Sequence, residues 1–297
     1  MNPLDHIGVS LSCDLCGGDV SKHASHLVVD EQKLLQVSVK LTTLVCRQCR
    51  FIFQGEVFSD ELLAAMYHQD TSFDFGDAVD DMIAIDSGLV IRQAVISRAM
   101  RTYSITDGAA VLDLGGGRGE CCQHLVERHR VVVADATECP PIDPRMGKIA
   151  GLFSNELEKC AFDVVVMNHV IEHVFSPSAL LASAHKMLRE GGIIVVEVPF
   201  ELYTPLVFRR LGDWRHVAYF CRATLRQFLE KAGFAVGWVS LEDGCYGARR
   251  LPVVRAVAQK VALSEPRVIR NSVWALFSDM ISFIVMKSIV HRILVRR

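Results

Sequence analysis

An α/β fold is predicted, built on an open, mostly parallel sheet with a small cysteine-bearing domain before it and an apolar, basic segment after it. Three observations predict it. Short Val- and Ile-rich runs alternate with helical patterns between residues 107 and 260. Four glycines crowd the stretch VLDLGGGRGE, Val111 to Glu120, where the first such run gives way to the next pattern. Two CxxC pairs stand in the first 57 residues. The bulk properties agree: 297 residues, half of them hydrophobic, give enough chain for a sizeable core.

Along the chain, four parts follow. Residues 1–57 are short-stranded and carry the turn CDLCGGD. Residues 58–106 read as a helical connector: SDELLAAMY starts with Ser59 as a candidate N-cap and with Asp60 and Glu61 in its first turn, and IRQAVISRAM continues at helical spacing. Residues 107–260 hold the runs AAVLDL, RVVVAD, FDVVVMN and GGIIVVEVP, which suit strands buried on both faces. Between them RGECCQHLVER and SPSALLASAHKMLRE read as helices, the second with Ser176 at the N-cap and Pro177 at its first position. RATLRQFLEKAGF is a further helix with a glycine stop. In such a sheet, ligands sit at the carboxyl ends of the strands.

Residues 261–297 form a tail. From residue 262 it carries a net charge of +4, and its apolar run is interrupted by Asp279, Lys287, His291 and Arg292, too often for a membrane span. Such a helix either packs on the domain or on a second copy of the chain, or lies in a membrane surface. The net charge of −2 argues against a nucleic-acid partner. Ten cysteines with no secretory leader in view point to a reducing compartment, hence a cytoplasmic protein, peripheral at the inner face of a membrane if the tail binds lipid.

The glycine stretch reads D-x-G-x-G-x-G through Asp113, Gly115, Gly117 and Gly119. Glycine there permits positive φ and close approach of a ligand to the backbone, and a helix starting next offers unpaired N–H groups. A dinucleotide fingerprint needs its third glycine at position 120, which is Glu120. The stretch instead resembles the first motif of class I S-adenosylmethionine-dependent methyltransferases, which have a Rossmann-like open sheet. RVVVADATE ends its strand on Asp135, where the family carries an acid for both ribose hydroxyls of the cofactor. FDVVVMNHVIEHV resembles the family's fourth strand and the loop after it, with Asn168 and His169 beside the cofactor. HVAYFCRATLRQFLEKAGFAV resembles the segment before the family's last helix. The third strand, in KIAGLFSNELEKC, lacks the family's aspartate next to the adenine, so backbone near Leu152 and Phe153 takes that place.

The pairs Cys13-x-x-Cys16 and Cys46-x-x-Cys49 offer four thiolates to one tetrahedral ion, with 29 residues between the pairs. Structural Zn²⁺ is the favoured reading; four buried or redox-active thiols is the other. The remaining cysteines lack this spacing and read as ordinary thiols.

A cysteine-rich start, a helical YHQD stretch and this catalytic domain together resemble methyltransferases acting on nucleotide-linked sugars and similar metabolites. There a Tyr-His-Glu-His-like segment supplies a base. Here it reads Asp213-Trp214-Arg215-His216, so only the last residue matches, and O- or N-methylation is favoured over C-methylation. His216 is the candidate base, or else a histidine capping the next helix. Glu172 and His173 are expected to shape the pocket. Acceptor contacts are expected in residues 58–106 and 199–220. The predicted function is methyl transfer to a small molecule, a sugar or glycan precursor. A methyltransferase fold retained only for binding and assembly is the alternative. A nucleic-acid methyltransferase is a weaker third, because NHVIEH lacks the Asn/Asp-Pro-Pro-aromatic signature of base methylation.

Overall fold

The computed structural model describes residues 7–9, 12–28, 39–58, 87–137, 139–151, 157, 161–202, 215–246, 249–262, 274 and 277–282. Expectations for Ser59, Asp60, Glu61, Leu152, Phe153, Asp213, Trp214 and most of the tail lie outside these residues.

The elements are β1 (Ile7–Val9), β2 (Val20–Val28), β3 (Val39–Cys46), β4 (Ile52–Gln54), β5 (Glu56–Phe58), α1 (Ser87–Thr102), β6 (Ala110–Leu114), β7 (Arg130–Asp135), β8 (Gly147–Ala150) and β9 (Phe162–Asn168). They continue with α2 (Pro177–Met187), β10 (Leu188–Pro199), β11 (Ala218–Tyr219), α3 (Arg222–Lys231), β12 (Phe234–Tyr246) and β13 (Arg249–Lys260). Seven strands form the main sheet in the order β12-β13-β10-β9-β6-β7-β8. Its five strands from β10 to β8 are parallel, and the last hairpin, β12 and β13, is antiparallel. The order reverses at β6: the chain goes from β6 outward to β7 and β8, then returns to β9 on the other side. Crevices form at such reversals.

Each Val/Ile run became a strand because it is buried on both faces. β6 is buried throughout, and so is β10 from Gly192 onward. The Ser176 hydroxyl accepts from the Ala179 N–H at the start of α2, and α3 is followed by Gly233 at φ 91°.

One expected helix is absent. RGECCQHLVER folds as successive turns closed by i→i−3 bonds, with only a short 3₁₀ turn at Gln123–Leu125. The crossover has ten residues, 120–129, to run back along the six-residue β7. That strand is about 20 Å long. Ten α-helical residues span about 15 Å, whereas 3₁₀-type turns stretch to about 20 Å.

The cysteine-bearing segment makes another sheet, β11-β4-β3-β2, whose edge strand β11 comes from residues 218–219. Its core is continuous with one face of the main sheet. Phe51 meets Phe228 of α3 edge-on at 4.8 Å and Phe220 at 5.6 Å. Two acids from outside residues 107–260 cap helices within them. Asp14, between Cys13 and Cys16, accepts from the Ser176 hydroxyl and from the Ser178 N–H at 2.8 Å, at the start of α2. Asp279 of the tail accepts from the Arg222 N–H and Nε at 2.7 and 2.6 Å, at the start of α3. A carboxylate at a helix N-terminus satisfies orphan N–H groups and opposes the helix dipole. The described part of the tail is therefore packed on the domain. Among the described residues no helix is long and apolar enough to cross a membrane.

Candidate functional site

The glycine loop leaves the carboxyl end of β6. Gly115, Gly117 and Gly119 have φ of 71°, 59° and 88°. They differ in what surrounds them. A Cβ on Gly115 would lie 2.5 Å from Val170, and one on Gly119 would lie 2.7 Å from Val133 and 2.8 Å from the Met146 sulfur. Both are packing glycines. A Cβ on Gly117 would meet nothing within 4 Å, so this backbone faces open space, where a ligand can press. Lys148 Nζ donates to the Gly117 carbonyl at 2.9 Å and steadies the loop from β8. The N–H groups expected from a following helix are replaced: with no helix there, the Gly117 N–H goes to Asp135 Oδ2 at 2.8 Å.

Asp113 lies under this loop, fully buried. Its oxygens have no N–H or O–H donor among the described residues, and the weak Cys122 thiol is the donor beside them. Burial pushes its carboxyl up to about 7, helped by the charges of Glu120 and Asp135. Asp135 ends β7 half-buried, its other oxygen taking the Thr137 N–H at 2.8 Å. Asn168 ends β9, and its buried Nδ2 has no oxygen acceptor among the described residues; Cys121 is its neighbour. Burial pushes the Cys121 thiol up to about 12 and Cys122 well upward, so both stay protonated and unreactive.

His169 follows at φ 54°, a left-handed conformation that a non-glycine residue holds only where its surroundings impose it. Its ring stands between Glu172, 3.3 Å from Nδ1, and Glu197, 3.1 Å from Nε2. Burial pulls its pKa down, but the two carboxylates override that and raise it to about 9. Glu197 also takes Arg92 Nε at 2.8 Å and the Arg255 guanidinium, which reaches on to Glu242. Burial alone pushes Glu197 up; His169, Arg255 and Arg92 together hold it at about 2. This network was missed in the sequence, although a signal existed. Glu197 and Arg255 are lone charges inside apolar runs, and β10 and β13 place them opposite each other.

On the far side of His169, His216 Nδ1 meets Glu201 Oε2 at 2.6 Å, both side chains largely buried. His173 Nδ1 meets the Arg215 carbonyl at 3.2 Å, and its ring packs edge-on against His216 at 4.7 Å. Glu201 lies fifteen residues upstream of His216 in the chain. Only the fold shows this pairing.

The four cysteines converge. Cys13 and Cys49 sulfurs are 3.5 Å apart, as are Cys16 and Cys46, and all four lie within 4.8 Å of one another. Around a tetrahedral ion with sulfurs at about 2.3 Å, neighbouring sulfurs stand roughly 3.8 Å apart. Each pair sits in the same backbone turn: Gly17 N–H returns to the Cys13 carbonyl at 2.7 Å and Arg50 N–H to Cys46 at 3.1 Å. Gly17 has φ 70°, and Arg50 adopts 64° without glycine's freedom. The donor set and its spacing are compatible with a small metal domain. Contact with Cys49 lowers the Cys13 thiol to about 6 and raises its partner, as expected when one proton is shared.

Residues 91–237 match the family described as a methyltransferase domain. This part of the chain is an S-adenosylmethionine-dependent methyltransferase domain. The match runs from α1 through the start of β12 and takes in the glycine loop, Asp135, Asn168, His169 and His216. Solved structures resemble the chain to differing degrees. The Burkholderia thailandensis 1,6-didemethyltoxoflavin-N1-methyltransferase, bound to 1,6-didemethyltoxoflavin and S-adenosylhomocysteine, superposes with a TM-score of 0.52 at 18% identity, over 80% of this chain and 99% of that one. The N-methyltransferase NodS from Bradyrhizobium japonicum gives 0.48 at 16% identity, over 65% and 97%. The CurJ carbon methyltransferase gives 0.45 at 18%, over 64% and 60%. At 18% identity the likeness to the first of these is one of fold. No curated protein matches the sequence.

Proposed function

We propose that the methyltransferase domain transfers a methyl group to an oxygen or nitrogen of a small-molecule acceptor, a sugar or glycan precursor, with His216 as the proton acceptor. When bound, S-adenosylmethionine supplies a methyl carbon activated by its sulfonium. Asp113, Gly115, Gly117, Asp135, Asn168 and His169 are the residues to hold it. The open backbone at Gly117, the donor-poor buried oxygens of Asp113 and the acceptor-poor Asn168 Nδ2 fit a polar ligand at that edge of the sheet. Leu152, the remaining candidate for the adenine, lies outside the described residues.

The observation that carries the reading is the Glu201–His216 pair. A carboxylate on Nδ1 fixes the imidazole's orientation and stabilises the charge it gains on taking a proton. The four cysteines hold structural Zn²⁺ in this proposal. A closed S₄ site leaves no position for substrate, so its work is to fix the Asp14 turn against α2.

The test follows labelled methyl from S-adenosylmethionine into a metabolite extract. His216→Ala is expected to lower turnover roughly 10²-fold, within the range for a positioned base, and to leave affinity for S-adenosylhomocysteine unchanged. Unchanged turnover removes His216 from the chemistry, and no labelled product with wild-type protein removes the acceptor class.

A further inference from the structure

Apart from the cysteines, one more cluster of metal-ligating groups occurs among the described residues: Glu172, His173 and His216. One carboxylate oxygen and one ring nitrogen from each histidine lie within 4.8 Å of one another. Glu172 is 1% exposed, and neither of its oxygens accepts a well-formed hydrogen bond from the described residues. Its closest cationic neighbours are His169 Nδ1 at 3.3 Å, which Glu197 shares, and His173 Nε2 at 3.9 Å. His169 supplies part of the compensating charge that a carboxylate buried this deeply needs, and the oxygens of Glu172 can still accept an ion.

The histidines are held as metal-bound histidines are. Each engages Nδ1 with an oxygen, His173 with the Arg215 carbonyl and His216 with the Glu201 carboxylate. Such partners fix the tautomer and turn the other nitrogen toward an ion. The two rings meet edge-on at 72° rather than stacked, and one nitrogen of each lies within 4.8 Å of the other and of a Glu172 oxygen.

We propose that Glu172, His173 and His216 form a three-ligand site for a divalent first-row transition ion, distinct from the cysteine site and placed where the acceptor binds. Two imidazoles and one carboxylate suit zinc, iron, cobalt or nickel; magnesium and calcium prefer all-oxygen sets. Three protein ligands leave coordination positions open. An acceptor hydroxyl held there ionises more readily and releases its proton to solvent; with the ion bound His216 is a ligand, and the proton-acceptor role proposed above belongs to the metal-free site only. The ion's role in the reaction rests on the function proposed above; ion binding does not.

The experiment dialyses the full-length protein, carrying its cysteine-bound metal, against Co²⁺ without cofactor or acceptor. Metal analysis and visible absorption are then recorded. One cobalt per chain beyond the cysteine-held ion is expected, showing ligand-field bands without thiolate charge transfer. Glu172→Gln and His173→Ala should each abolish it, with folding checked by circular dichroism. Glu201→Gln should weaken it roughly 10–100-fold, as loss of a histidine's supporting partner does. Absence of this second ion in wild-type protein overturns the proposal, as does a second ion undiminished in both folded variants. If the ion binds but no methyl is transferred, the proposed function fails while the site stands.

Discussion

The two halves of the sheet's carboxyl edge are built by different means. At β6 and β7 the candidate cofactor residues Asp113, Gly115, Gly117 and Asp135 fall within one short stretch of chain, and backbone does most of the work. At β9 and β10 the groups are side chains brought from far apart. Arg92 on α1 meets Glu197 across 105 residues, Arg255 joins from β13, and Glu201 finds His216. The first half is governed by steric fit and the second by charge compensation. Glycine substitutions in the first should act through shape with little pH dependence. Those in the second should depend on pH.

The largest effect is expected at Glu197. Glu197→Ala removes the buried carboxylate that Arg92 and Arg255 share and leaves Arg255 to Glu242, which costs about 3–5 kcal/mol of stability in a denaturant melt. A loss below about 1 kcal/mol would mean that the two arginines find other partners, and the contrast between the halves would blur. The pH dependence has a definite sign. Glu197 is held at about 2 in the folded chain against an ordinary 4.5, so its contribution is complete above pH 4.5 and is lost as pH falls toward 2. That shift corresponds to about 3 kcal/mol. Glu197→Gln should flatten the acid limb of the stability profile.

Next come the glycines. Gly115→Ala should cost about 2–4 kcal/mol, from a left-handed φ together with the contact on Val170. Gly117→Ala meets no neighbour and should cost only about 1–2 kcal/mol. It should nonetheless weaken S-adenosylhomocysteine more, because its methyl points into the open space. Equal effects of the two on stability and on binding would erase the distinction between packing glycine and ligand-facing glycine. Smallest is Asp279→Ala, outside both halves. Loss of its cap on α3 should cost about 1 kcal/mol and leave cofactor affinity unchanged.

The same contrast explains what the sequence revealed. The sheet was legible because buried parallel strands need continuous apolar runs. The glycine loop and the cysteine pairs were legible because their chemistry is local. RGECCQHLVER misled because helical spacing says nothing about how far a crossover must reach. Asp279 read as a break in an apolar helix and proves to anchor it on α3. Asp14 read as a turn residue and also caps α2. Glu201 carried no local signal at all, since its partner is set only by how the chain returns after β10. Glu197 and Arg255 were visible as charges in apolar strands, but their pairing needed the register of β10 and β13.

The most direct test of the central claim, that the glycine loop and Asp135 bind the cofactor, is calorimetric titration with S-adenosylhomocysteine of wild-type protein and Asp135→Ala. The predicted result is one site per chain in the wild type, weakened at least roughly tenfold in the variant, as about 1.4 kcal/mol from lost charge-assisted hydrogen bonds requires. No binding by folded wild-type protein, or equal binding by both, would contradict it.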